Sequence, residues 1–291
     1  MANKENVIET KNLYFAYEGN KYILKNINLQ IKRGEIIAIL GENGAGKTTL
    51  IKHFNGLLKP SKGEVYILGK NTKESSVAEL SRHVGIVFQN PDHQIFSETV
   101  EKEIEFAMRN FGFDKSYIKE RVEWALRLMG LEKYRNRSPY TLSIGERKRL
   151  TLAAVLSYDP DILILDEPTA GQDFLQKERI AEMMNLLRHR QKTVIMVTHD
   201  IEFIVNRVER IIILAKGEIL YDGDKREVLT NLQLLKKARL LPPQITQIAW
   251  LLQDNNIGVP TNILYIEELL NELLHLCKKV GLDESARRIQ V

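Results

Sequence analysis

Nine residues set the chemistry: Gly41-Glu42-Asn43-Gly44-Ala45-Gly46-Lys47-Thr48-Thr49. They follow the apolar run Ile36-Ile37-Ala38-Ile39-Leu40 and lead into Leu50-Ile51-Lys52-His53-Phe54. The order is strand, glycine loop, helix, with the spacing of a phosphate-binding loop. Glycines let the backbone wrap close to an anion, and successive N–H groups then point inward with a helix N-terminus behind them. Lys47 is placed to reach β- and γ-phosphates, and the Thr48 hydroxyl to ligate Mg²⁺.

A second stretch, Asp161-Ile162-Leu163-Ile164-Leu165-Asp166-Glu167-Pro168, is a buried strand with two carboxylates at its C-terminal end. Ligand chemistry in open α/β sheets gathers at such ends. Asp166 suits the Mg²⁺ shell, and Glu167 suits a general base on an attacking water. Thr193–Val197 is the next apolar strand and ends in Thr198-His199-Asp200, so His199 is a candidate γ-phosphate contact. Gln89 ends the apolar run Val84–Phe88 and reads two ways, as a ligand of Mg²⁺ or its water and as a turn cap. Tyr17, just before the turn Glu18-Gly19-Asn20, also reads two ways: a platform for a nucleotide base, or ordinary strand packing.

The elements that must hold these residues follow from periodicity. Strands at Val7–Tyr17, Tyr22–Ile31 and Glu64–Leu68 predict a small antiparallel layer flanking the loop. Thr99 to about Leu156 is helical in period, with Val122, Ala125, Leu126 and Met129 on one face and Gly130 as a stop. A loop through Leu142-Ser143-Ile144-Gly145-Glu146 then precedes a helix from about Arg147. Asp173–Arg190 is amphipathic, with Ile180, Met183, Met184 and Leu187 inward. Arg210–Leu214 and Glu218–Tyr221 predict a hairpin, and Asp224 caps a short helix. Beyond Leu232 the chain is helical but broken at Pro242-Pro243 and Gly258-Val259-Pro260, with a last helix over Ile263–Leu276.

Composition bounds the setting. The chain has 291 residues, 44% hydrophobic and 27% charged, which is ordinary for a globular protein. A net charge of +4 with scattered basic residues gives no argument for nucleic acid. One cysteine, Cys277, rules out an intrachain disulfide and suits a reducing cytoplasm. The first residues, Met1 to Asn6, carry no apolar signal segment, and the longest apolar runs are strand-sized. A role at a membrane therefore runs through a partner.

In this order the motifs resemble those of ATP-binding cassette (ABC) transporter subunits over about residues 6–235. The resemblance implies an α/β fold: a RecA-like P-loop core with a parallel sheet, a small antiparallel β-subdomain, an inserted helical subdomain at about 91–158 and a short helical appendage at 236–291. It assigns Gln89 to the Q-loop, Leu142–Glu146 to the signature loop, Thr169–Asp173 to the D-loop and His199 to the switch, with Tyr17 at the base-stacking position. ATP and Mg²⁺ follow as cofactors. Phe88-Gln89-Asn90-Pro91-Asp92, with Gln94-Ile95-Phe96 and Thr99-Val100, is similar to energy-coupling-factor or cobalt-type ATPases, as is Leu241-Pro242-Pro243-Gln244. Such ATPases work in pairs. They drive a transmembrane coupling subunit and a substrate-capturing membrane subunit for vitamins or transition-metal ions, from the cytoplasmic face of the membrane.

Two other kinds of ABC-type ATPase fit less well. Chromosome-acting members need a long coiled coil, and no heptad run of that length is present. Ribosome-acting members usually carry two cassettes, whereas one is present. A regulatory module without turnover is opposed by the complete Glu167 and His199 pair.

One departure stands out. The family signature is Leu-Ser-Gly-Gly-Gln, and this chain has Leu142-Ser143-Ile144-Gly145-Glu146. In the family that loop is offered across a head-to-tail dimer to the ATP of the other subunit. Ser143 and Gly145 keep the hydroxyl and the unhindered N–H. Ile144 adds bulk, and Glu146 adds a negative charge near an anion. The change reads either as neutral drift or as a weakened half-site in an asymmetric dimer.

Overall fold

The computed structural model describes residues 5–19 and 21–279. Asn20 of the expected turn, residues 1–4 and the end of the appendage, 280–291, lie outside the described residues.

The strands are β1 (Asn6–Phe15), β2 (Leu24–Lys32), β3 (Ile36–Leu40), β4 (Lys62–Ile67), β5 (Lys70–Asn71), β6 (Val84–Val87), β7 (Ile162–Asp166), β8 (Thr193–Val197), β9 (Arg210–Ala215) and β10 (Glu218–Asp224). The first helices are α1 (Lys47–Phe54), α2 (Val77–His83), α3 (Val100–Asn110), α4 (Lys115–Met129) and α5 (Ile144–Ser157). The rest are α6 (Phe174–His189), α7 (Ile201–Val205), α8 (Lys225–Leu229), α9 (Leu232–Lys237), α10 (Gln244–Asp254) and α11 (Ile266–Lys279).

The strands form two sheets. One has the order β2-β1-β4-β5 and is antiparallel; the other has the order β10-β9-β3-β8-β7-β6, parallel except for the β9–β10 hairpin. Strands β3, β7 and β8, and the edge strand β6, are buried at every position, as continuous apolar runs require. Their side chains alternate between two cores. Ala38 and Leu40 face a core built with α3, α4, α5 and α6, whereas Ile37 and Ile39 face one shared with α1 and the antiparallel sheet. Helix α1 is thus held between the two sheets, with Leu50, Ile51 and Phe54 fully enclosed. Each such side chain contributes roughly 1.5–3 kcal/mol by burial, so the loop before α1 starts from a rigid base.

Helices α3, α4 and α5 pack on one another between β6 and β7. The last helix begins at Ile266 rather than Ile263. Ile263 lies before the helix: its carbonyl accepts from Thr246 Oγ1 at 2.6 Å, and the next amide, of Leu264, donates to Glu268 Oε2 at 2.9 Å. Those side-chain bonds compete with the first helical turn. Helices α10 and α11 enclose a small core of Ala249, Val259, Ile263 and Leu269. Arg226 ties them to the rest through Glu268, at 2.6 Å.

Candidate functional site

Parallel register brings the site together. Asp166 pairs with Val197, Leu165 with both Val87 and Met196, and Ile39 with Val197. The residues that follow β3, β6, β7 and β8 therefore leave the sheet at one edge, as a parallel sheet's ligand crevice demands. A pocket of about 310 Å³ at that edge is lined by Asn43, Gly44, Gly46, Lys47, Thr48 and Thr49 together with Gln89, Asp166, Glu167 and His199. Ile23, at the approach to β2, completes the wall and was not anticipated; a lone apolar residue before a strand carries no chemical signal.

The loop itself needs its glycines. A side-chain carbon on Gly41, at φ +153°, would stand 2.1 Å from the Leu214 carbonyl oxygen. Gly46, at φ 102°, caps α1 in the left-handed region. Ala45 is buried beneath the loop. Lys47 is buried, and its ammonium donates to the carbonyls of Gly41 at 2.7 Å and Glu42 at 3.0 Å. Burial lowers its pKa, against the pull of Glu167, Asp166 and Glu42. The lysine is a weakly solvated cation curled over its own loop, ready to exchange carbonyls for phosphate oxygens.

The Thr48 hydroxyl donates to Asp166 Oδ2 at 3.0 Å. Burial raises the Asp166 pKa, opposed by the Thr48 hydrogen bond, with Glu167 raising it further. A hard divalent cation bound here would favour the carboxylate. The set offered by Thr48, Asp166 and exposed Gln89 is all oxygen, which suits Mg²⁺. Among the described residues no group of three or more His, Cys, Asp or Glu could hold a metal by itself. The ion would need phosphate oxygens as well, as Mg²⁺ at nucleotide sites usually does.

Glu167 follows β7 in the left-handed region, at φ 50°, an uncommon setting for a non-glycine residue. Its amide donates to the Val197 carbonyl at 2.8 Å, which pins the turn. Its carboxylate is buried, with Oε2 2.9 Å from His199 Nδ1 and accepting from Thr198 Oγ1 at 3.3 Å. Asp200 is the next residue in the chain. It caps α7 through Phe203 N at 3.1 Å and pairs with Lys177 Nζ at 2.6 Å. Thr198, Asp200 and Lys177 are therefore supports that residue type alone did not assign; their roles depend on the register of β7 against β8.

The remaining site residues lie outside this pocket. Tyr17 is exposed and shares a hydrogen bond of 3.3 Å with Thr49 Oγ1, beside the loop. Ser143 and Gly145 do not line it. Helix α5 starts at Ile144, three residues before the predicted Arg147, so the expected loop Leu142–Glu146 is an N-cap and a first turn. The cause is a capping box. Ser143 Oγ accepts from the Glu146 amide at 3.3 Å, and Glu146 Oε2 accepts from the Ser143 amide at 2.9 Å and hydroxyl at 2.8 Å. The Tyr134 hydroxyl and the Ser143 backbone hold the Glu146 pKa down to about 2. Ile144 is exposed on the same turn.

A family profile described as ABC transporter matches residues 24–170. The energy-coupling factor transporter ATP-binding protein EcfA of Methanocaldococcus jannaschii is 40% identical over 256 residues, spanning 87% of this chain and 92% of its own length. The chain belongs to the ABC transporter family. Two solved structures agree with this ABC assignment. One is cbiO1 from Clostridium perfringens, part of the ABC transporter complex cbiONQ: TM-score 0.69 at 35% identity, over 86% of this chain and all of that one. The other is a dimeric ATP-binding cassette in a post-hydrolysis state with ADP and Pi: TM-score 0.68 at 32% identity, over 75% of this chain and 98% of that one. No helix among the described residues of this ABC subunit is long and apolar enough to cross a membrane.

Proposed function

We propose that this chain is the ATP-hydrolysing subunit of an energy-coupling-factor-type importer. The carrying observation is the convergence of Lys47, Thr48, Asp166, Glu167 and His199 on one pocket. Residues Gly41–Thr49 cradle the phosphates through backbone N–H groups, and Lys47 leaves its loop carbonyls for the β- and γ-phosphates. Thr48, Asp166 and Gln89 hold Mg²⁺, which neutralises phosphate charge when bound. Glu167 takes the proton of the attacking water, and His199 orients Glu167 and touches the γ-phosphate. Tyr17 stacks on the base.

The unit that does this is residues 1–235, with 91–158 as the helical subdomain and 236–291 as the appendage. Ser143 and Gly145 serve the nucleotide of a second ATPase subunit. That pair sits on the cytoplasmic face of the membrane and drives a transmembrane coupling subunit and a substrate-capturing subunit, for a vitamin or a transition-metal ion. We further propose that the half-site offered by Ser143–Glu146 is the weaker one. Its hydroxyl is committed to a carboxylate, and that carboxylate repels phosphate.

Glu167→Gln tests the hydrolytic reading. ATP binding is expected to persist while turnover falls by about 100-fold or more. Turnover at the wild-type rate would remove Glu167 as the base.

A further inference from the structure

The turn after Glu167 packs against the helix that carries Ser143, and the contact is lined by cations. A small cavity there is bordered by Lys148 and Arg149 of α5, Gln172 of the turn, and Gln176 and Arg179 of α6, with Met129, Leu152, Pro168 and Ile180 forming its apolar wall. The centre of a water-sized particle can range over about 10 Å³ within it, room for one such particle. Four polar atoms on these side chains are enclosed and without a hydrogen-bond partner: Arg149 Nε, Arg179 Nη1, Gln172 Nε2 and Gln176 Oε1. Three of the four are N–H donors.

Among the described residues no carboxylate lines the cavity. The nearest one to Arg149 is Glu146: its Oε1 lies 4.0 Å from Arg149 Nη2, while its Oε2 accepts from Ser143. Lys148 spends its ammonium on the Ala170 carbonyl, and Arg149 Nη1 donates to the Met129 carbonyl at 2.9 Å. The two guanidiniums converge over Gly130. A side-chain carbon there would lie 3.0 Å from Arg179 Nη1 and 3.5 Å from Arg149 Nη1. Burial lowers the Arg149 pKa, and the like charge of Arg179 lowers it further.

Buried donors without acceptors are rare in folded proteins, and two neighbouring guanidiniums with one carboxylate, 4.0 Å from Arg149, are only partly compensated. The negative end of α4 offsets part of this through Met129, but it leaves Arg149 Nε and Arg179 Nη1 without acceptors. A water molecule brings no charge. A monatomic anion can accept from several N–H donors and neutralises one guanidinium, and the Gln176 amide, turned about, presents its NH₂ group instead of its oxygen. We propose that this cavity binds a single monovalent anion of chloride's size. The bound ion braces α5, which begins at the signature residues, against the turn that follows Glu167.

The test uses the full chain. Crystals grown with bromide in place of chloride are measured for anomalous scattering. Thermal unfolding is compared in sodium chloride and sodium gluconate at equal ionic strength, for wild type, Arg179→Met and Arg179→Lys. Expected are an anomalous peak between Arg149 Nε and Arg179 Nη1, and a wild-type midpoint about 3 °C higher in chloride. The difference should vanish in Arg179→Met and survive in part in Arg179→Lys. A site holding water without bromide would overturn the proposal. So would a bromide peak with equal midpoints, which marks an adventitious ion only, or an undiminished chloride effect in Arg179→Met.

Discussion

The phosphate loop and the signature turn are both strand- or loop-to-helix junctions, and they solve the same problem in opposite ways. Each begins a helix whose first N–H groups need acceptors. At α1 no side chain caps the helix, and glycines leave the N–H groups open to an external anion. At α5 the chain supplies its own anion. Glu146 takes both the amide and the hydroxyl of Ser143, and Ser143 takes the Glu146 amide. A helix start left open is a binding site; one closed by a capping box is a stable helix end. This contrast is the physical content of the proposed asymmetry between the two half-sites.

The largest expected effect lies on the open side. Glu167→Gln should reduce turnover by about 10²–10⁴-fold with ATP binding retained, measured by steady-state hydrolysis beside equilibrium nucleotide binding. If binding were lost in parallel, the open junction would depend on Glu167 for more than the water.

Next comes a stability effect in α1. His53 is fully buried, its Nδ1 donates to the Thr49 carbonyl at 2.8 Å, and burial pushes its pKa down from 6.5 to about 4. Between those values the unfolded chain binds a proton that the folded chain refuses, so stability falls as pH falls from 6.5 to about 4. The loss from this one group is about 3 kcal/mol. Denaturant titrations at pH 7 and pH 4.5 should show it, and His53→Asn should flatten that slope.

Lys47→Ala follows. It removes a charge-assisted contact to phosphate and should weaken ATP binding by about 2 kcal/mol, roughly 30-fold, by calorimetry. An unchanged affinity would mean that the open backbone N–H groups suffice.

Much of this was legible in the sequence because it rests on residue type at short range. The glycine loop, the four-residue apolar strand before Asp166-Glu167 and the Gly130 stop each carry their own local signal. What was not legible depends on partners distant in the chain. Thr198 bonds Glu167 only because β7 and β8 pair in one register. Lys177 reaches Asp200 only because α6 crosses back over β8. The start of α5 was legible in principle, since Ser143-x-x-Glu146 is a capping box. The same residues also carry the signature resemblance, which points to a loop, and the cap turns that loop into a first helical turn. Ile263 failed for a different reason: its helical spacing is genuine, but a buried threonine hydroxyl claims its carbonyl.

The smallest expected effect is also the most direct test of the contrast between the two junctions. Glu146 is ionised at neutral pH, because its pKa is held at about 2. Replacing it with the neutral isostere, and Ile144 with glycine, should take charge and bulk off the signature turn while keeping its cap. The decisive measurement is the steady-state ATPase rate of the purified chain beside that of the Ile144→Gly, Glu146→Gln variant. A rate several-fold higher in the variant is predicted, since one like-charge contact near phosphate and the bulk of Ile144 are removed while the cap is kept. Equal rates would contradict the account of a self-capped, weakened half-site.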